Sequence, residues 1–123
     1  MSLIRVHHVQ IAIPEGRENE ARAFYAGVLG LEALSKPVEL AGRGGCWFRL
    51  GDLEIHAGAD PEFRRPSAKA HLAFEVDDLG AARRRLKESG ARLEEAVPLP
   101  DFERFYAYDP FGHRIEFMKR LHA

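Results

Sequence analysis

His8-Val9-Gln10-Ile11-Ala12-Ile13 and His71-Leu72-Ala73-Phe74-Glu75-Val76 are the two stretches on which the fold is decided. In the first, Val9, Ile11 and Ile13 share one face, and His8, Gln10 and Ala12 share the other. In the second, Leu72, Phe74 and Val76 lie opposite His71, Ala73 and Glu75. A period of two marks a strand with one face packed against a core. The reading predicts strands over Leu3 to Ile13, stopped by Pro14, and over Ala70 to Val76.

Working outward, the period changes from two to that of a helix after each strand. Ala21, Phe24, Val28 and Leu29 fall at helical spacing, and Gly30 stands where a helix end favours a left-handed residue. In the second copy Asp77 or Asp78 is placed to cap a helix whose apolar stripe is Leu79, Ala82 and Leu86, with Gly90 ending it. Three strand-like runs follow each helix: about 33–40, 45–50 and 53–57 in the first copy, and 91–97, 103–108 and 113–118 in the second. Gly30 and His56 are 26 residues apart, as are Gly90 and Glu116. Strand, helix and three strands thus occur twice. The expectation is one α+β domain over residues 1–123, with repeat halves at about 4–57 and 69–120 and a linker at about 58–68. A helix covers one face of each four-stranded sheet. The bare faces of two such βαβββ modules, set edge to edge, would make an open cup-shaped sheet.

Composition narrows what the chain does. Of its 123 residues, 46% are apolar and 30% charged, the balance of a chain that folds by itself. Eighteen basic and 19 acidic residues leave a net charge of −1, which offers no attraction for nucleic acid or an anionic membrane. The basic run Arg83-Arg84-Arg85 reads as the solvated face of the second helix. A single cysteine, Cys46, permits no internal disulfide and favours a reducing compartment. The N-terminus carries Arg5, His7, His8 and Gln10, unlike a signal peptide, and no apolar run has membrane-spanning length. A cytoplasmic protein is expected.

Function should lie on the faces that the core residues leave bare. Leu53 and Ile55 turn Glu54 and His56 the other way, and Ile115 and Phe117 do the same for Glu116. Each half therefore offers a histidine on its first strand, His8 or His71, and a ligand-type side chain on its last. Imidazole and carboxylate without thiolate suit a divalent Zn, Ni, Fe, Mn or Co ion rather than a structural zinc cluster. Any one histidine of this kind is more often a hydrogen-bonded structural residue, and His7 is read that way, while His113 and His122 read as surface residues. The matched placement in both halves is what points to metal. Trp47 and Arg49 share a face, as do Arg104, Tyr106 and Tyr108, and these are candidate walls and cations for an anionic small molecule.

With His8 to Ile13, the segments Ala23-Phe24-Tyr25 to Leu29-Gly30-Leu31, His71 to Val76, and Asp109-Pro110-Phe111-Gly112-His113-Arg114-Ile115-Glu116 together resemble the vicinal oxygen chelate (VOC) superfamily. That superfamily holds glyoxalase I, fosfomycin-resistance thiol transferases, bleomycin-resistance proteins, methylmalonyl-CoA epimerase and extradiol dioxygenases. The resemblance spans about residues 4–120, and its motifs are specific to the superfamily rather than to one activity. It implies a glyoxalase-like fold and His8, His71 and Glu116 as metal ligands. On the strand at 53–57 the sequence departs from a clean match. Glu54 is available for the carboxylate of the glyoxalase pattern, whereas the repeat spacing favours His56 as ligand and leaves Glu54 as a catalytic base. The two stand roughly 7 Å apart along the strand.

The leading functional expectation is a metal-dependent, glyoxalase-like lyase or isomerase acting on a small oxygen-chelating substrate, with one divalent ion as cofactor. The alternatives are a drug-sequestering binding protein of bleomycin-resistance type without turnover, and an extradiol-type dioxygenase or fosfomycin-type thiol transferase. Unpaired sheet edges predict a homodimer, with the site lying in one chain or shared between two.

Overall fold

The computed structural model describes residues 1–122. The chain forms two compact units, Met1–Arg64 and a second that begins at Arg65. In the first, β1 (His8–Pro14) is followed by α1 (Glu18–Arg22), which runs on into a wider helical turn over Ala23–Val28. Then come β2 (Glu32–Leu34), a 3₁₀ segment at Val38–Arg43, β3 (Cys46–Leu50) and β4 (Leu53–Asp60). The second unit has β5 (Leu72–Glu75), α2 (Leu79–Glu88), β6 (Leu93–Glu95), β7 (Phe102–Tyr108) and β8 (Arg114–Arg120). Each unit carries one open four-stranded sheet, ordered β1-β4-β3-β2 and β5-β8-β7-β6. In both, the first strand pairs in parallel with the last, and the other pairings are antiparallel. The expected α+β architecture of two βαβββ modules is what the chain adopts. No helix among the described residues is long and apolar enough to cross a membrane.

The alternation read from sequence sets which side of each sheet is covered. Ile13, Phe48 and Ile55 are fully buried with Ala21 and Tyr25 in the first unit; Phe105, Ala107 and Ile115 are fully buried in the second, with Leu86 from α2 at 1% exposure. Burying a side chain of this size stabilises by roughly 1.5–3 kcal/mol. The helices begin differently. Asp78 is the cap of α2, its carboxylate accepting the Ala81 N–H at 2.9 Å, whereas Arg17 before α1 supplies no capping side chain. α1 ends by widening: the Leu29 N–H reaches back five residues to the Phe24 carbonyl at 2.9 Å. Tyr25 enters the core beside Phe24, while Val28 and Leu29, which the helical spacing also placed there, are half-buried. Gly30, at φ 79°, then lets the Leu31 N–H reach the Tyr25 carbonyl at 3.0 Å.

Several strand limits differ from expectation, each for a local reason. β1 starts at His8 rather than Leu3, because its partner β4 begins only after the Gly51-Asp52 turn. At its far end β4 continues past Ala57 to Asp60, since β1 offers partners as far as Pro14. β2 stops at Leu34 instead of Leu40, with Pro37 leading into the 3₁₀ segment. β6 covers Leu93–Glu95 rather than 91–97, because the Ala91 N–H is taken by the Leu86 carbonyl at the end of α2. The Asp109-Pro110-Phe111-Gly112 turn is closed by the buried Asp109 carboxylate, which accepts the N–H groups of Phe111 and His113 at 2.9 and 2.8 Å.

Candidate metal and substrate site

Parity and register bring the expected residues into two clusters, one on each sheet. On the first, β1, β4 and β3 align His8 with Glu54 and Arg49, and Gln10 with His56 and Trp47. The rings form a column. His56 lies flat between Trp47, at 3.9 Å and 3°, and His8, at 4.2 Å and 13°. His56 is buried, while His8 is exposed and its Nδ1 lies 3.1 Å from Nδ1 of His7. His7, read as merely structural, is thus a neighbour of the cluster. The His56 Nε2 faces Glu54 Oε1 at 2.9 Å. That hydrogen bond, with the nearby charges of His7 and Arg49, holds the Glu54 carboxyl below its usual range against the opposing effect of desolvation. Arg49 itself turns away to an exposed ion pair with Glu32 at 3.0 Å.

The second cluster is a charged network. Glu116 is 6% exposed, and its two oxygens have different partners. Oε1 faces His71 Nε2 at 3.0 Å, and Oε2 accepts from Arg104 Nη1 at 3.3 Å. His71 sits one residue before β5, where its Nδ1–H donates to the Lys69 carbonyl at 3.1 Å. Arg104 also donates to the Tyr106 hydroxyl at 3.0 Å and the Val97 carbonyl at 2.8 Å. Tyr108 is buried, its hydroxyl donating to Glu94 and accepting from Arg114, both at 2.9 Å. Of the five residues read as substrate contacts, Trp47, Arg104 and Tyr106 therefore adjoin the His and Glu side chains, while Arg49 and Tyr108 are engaged elsewhere. Arg114 and Glu94 were missed, although Arg114 shares the parity of Glu116 two positions along β8; its guanidinium lies 4.2 Å over the Tyr106 ring.

Comparison with known proteins places this geometry. The model of the Glyoxalase/Bleomycin resistance protein/Dioxygenase superfamily matches residues 5–117. The chain belongs to this superfamily. A lactoylglutathione lyase of Neisseria meningitidis is 30% identical to it over 128 residues, covering 95% of this chain and 91% of the relative. A glyoxalase family protein from Bacillus anthracis is 44% identical with a TM-score of 0.90, over 98% of both chains. The fosfomycin resistance protein FosX from Listeria monocytogenes shares the fold, at 16% identity and a TM-score of 0.79 over 96% of this chain and 94% of that one.

For a member of the glyoxalase superfamily the group to test against these donors is a divalent ion. Among the described residues no three or more His, Cys, Asp or Glu side chains are gathered as a metal shell; the donors come in pairs. The second pair fits. The bond from Nδ1–H to Lys69 leaves the Nε2 of a neutral His71 with a lone pair, and that lone pair faces a carboxylate oxygen 3.0 Å away. A proton on Nε2 satisfies this contact as an ion pair, and a divalent ion can take its place, since adjacent ligands about 2.1 Å from an octahedral ion lie about 3.0 Å apart. An imidazole anchored through its second nitrogen is also the usual support for a metal-bound histidine. In the first pair the His56 Nε2 faces Glu54 Oε1 at 2.9 Å, so its partner is the candidate base rather than a second ligand candidate. His8 does not fit as it stands, because a ligating imidazole meets the ion in its own ring plane and two nearly parallel rings 4.2 Å apart share no such point.

Proposed function

We propose that the chain is a metal-dependent lyase or isomerase of glyoxalase type, acting on a small substrate with two neighbouring oxygens. The observation that carries the reading is the His71 Nε2 set 3.0 Å from a Glu116 carboxylate oxygen, with the imidazole anchored to Lys69 through its other nitrogen. The candidate ligands are His71 and Glu116 on the second sheet and His56 and His8 on the first. Zn, Ni, Fe, Mn and Co are the candidate ions. When bound, the ion supplies Lewis-acid polarisation of the substrate oxygens. An ion held by the His56 Nε2 would free Glu54 of its hydrogen bond to that ring. As a carboxylate, Glu54 is in the form that accepts a proton. It takes the proton from the carbon beside a polarised carbonyl and returns it to the neighbouring carbon. The lactoylglutathione lyase relative supports this reaction class. The open sheet edges, at β1 and β2 and at β5 and β6, support a homodimer.

The experiment is metal analysis by mass spectrometry on protein purified without metal-affinity resin, with glyoxalase-type turnover measured alongside. Wild type is expected to hold about one ion per chain, Glu116→Ala to bind it at least about 100-fold more weakly, and Glu54→Gln to keep the ion while losing about 10²–10⁴ in rate. Wild type that takes up none of the five ions would sink the reading. A second reading, a ligand-binding protein without turnover, is favoured by the Trp47–His56–His8 column, a ready platform for a flat ligand. It predicts binding that chelators leave unchanged.

A further inference from the structure

Arg104 has work left undone. A guanidinium offers five N–H donors. In Arg104 the Nε donates to Val97, and Nη1 to both Tyr106 and Glu116 Oε2. Nη2 has no partner among the described residues. The side chain is 14% exposed, and no buried side-chain nitrogen or oxygen among the described residues lacks a partner, so the free Nη2 edge is open to solvent. Three bonds on the other side fix the plane of the group, and the guanidinium lies 5.6 Å from the Tyr106 ring centroid. The result is a pre-oriented cation with two unused donors, next to the ligand-type carboxylate of Glu116 and bordered by an aromatic wall.

We infer that Arg104 is a specificity-determining residue whose free Nη2 edge binds a carboxylate of the substrate, so that the substrate is an anionic, carboxylate-bearing compound. The inference rests on the reading of Glu116 as part of the active site. A planar oxyanion suits the position: it accepts charge-assisted hydrogen bonds from Nη2 and lies along Tyr106. A neutral analogue would leave those donors unpaired against a partly buried charge. One oxygen of Glu116 already balances Nη1, which keeps Arg104 in place without closing the edge that faces out.

The test uses benzoate and its neutral isostere benzamide, titrated into wild-type protein and followed by NMR. Wild type is expected to bind benzoate at least 10-fold more tightly than benzamide. In Arg104→Gln the two should bind within about two-fold of each other, as for loss of one charge-assisted contact. Arg83→Gln, on α2, should leave the preference unchanged. Arg104→Lys keeps the charge and protects against a simple failure to fold; its one ammonium cannot replace the fork, so the preference should fall there too. Equal binding of the two probes to wild type would overturn the inference. So would a preference that survives in Arg104→Gln or Arg104→Lys, or one that falls equally in Arg83→Gln. Metal content, measured on the same samples, separates this from the proposed function. A benzoate preference in metal-free protein that takes up no ion leaves the anion site standing and removes the metal reading; bound metal with no preference does the reverse.

Discussion

The two repeats share one frame and fill it differently. Register aligns His8 with His71, His56 with Glu116, Trp47 with Tyr106, and Glu54 with Arg114. Where the first repeat has a stacked column of rings beside a carboxylate, the second has a carboxylate held between an imidazole and a guanidinium. The cores differ by exchange as well. On β3 and β7, Cys46 and Phe48 stand where the second repeat has Phe105 and Ala107, and on β4 and β8 Ala57 stands where it has Phe117. Cys46 and Phe48 trade large for small with Phe105 and Ala107, while Phe117 adds bulk where the first repeat has Ala57, so a residue moved unaltered from one repeat to the other would not fit. The frame is set by alternation and pairing; chemistry was free to diverge on the face that the core does not use.

The largest effect should come from that exchanged packing. Phe105 is fully buried and stacks on Phe117 at 5.3 Å, so Phe105→Ala should cost about 3–5 kcal/mol in urea unfolding. Phe105→Cys, which copies the first repeat's residue, should cost nearly as much, because Phe117 leaves no bulk to fill the gap. A loss below 1 kcal/mol for the cysteine variant would mean that the two cores are interchangeable after all.

A smaller and more local effect distinguishes the columns. Trp47 covers one whole face of His56, and an aromatic pair of this kind contributes about 0.5–1.5 kcal/mol beyond its buried area. Trp47→Ala should therefore lower stability by about 1–2 kcal/mol and move the His56 ring protons downfield as the indole's shielding is lost. Tyr106→Ala, at the matched position, should shift the His71 ring resonances less, because Tyr106 meets that ring edge-on at 6.0 Å and His71 is held by Lys69 and Glu116. Equal disturbance of both histidines would erase the distinction between a stacked and an ionic repeat.

What was legible in the sequence follows from which contacts are local. Strand parity is a property of neighbours in the chain, so the facing of His8, Glu54, His56, His71 and Glu116 could be read directly, and the matched spacing of His56 and Glu116 recurs in the strand register. Pairing across strands is not local. The His8–His56–Trp47 column joins β1, β4 and β3, and the Arg104–Glu116 contact joins β7 and β8. Neither spacing nor composition announces them. The short β2 and β6 were overread because Ala33 to Leu40 and Ala91 to Val97 have strand-like composition, while Pro37 and the backbone bond closing α2 decide where pairing begins and ends. The widened turn of α1 was hidden because Ala21, Phe24, Tyr25 and Val28 keep the i, i+3, i+4, i+7 spacing of an ordinary helix, and only the backbone bond from Leu29 to Phe24 reveals it.

The smallest expected effect concerns the helix starts, where the repeats differ by one hydrogen bond. Asp78 satisfies the Ala81 N–H and sits at the positive end of α2. Asp78→Ala should cost about 1 kcal/mol, and Asp78→Asn much less, since the amide oxygen can still accept. Arg17 caps nothing; it pairs with Glu20 on the surface, so Arg17→Ala should change stability by less than about 0.5 kcal/mol. The contrast is measurable because both variants report on the first turn of a helix packed on the same kind of sheet. An Arg17→Ala loss equal to that of Asp78→Ala would show that the exposed ion pair does the work of a cap. A negligible loss in both would place the stability of the two helices in their buried faces alone, at Ala21, Phe24 and Tyr25 in one repeat and Leu79 and Leu86 in the other.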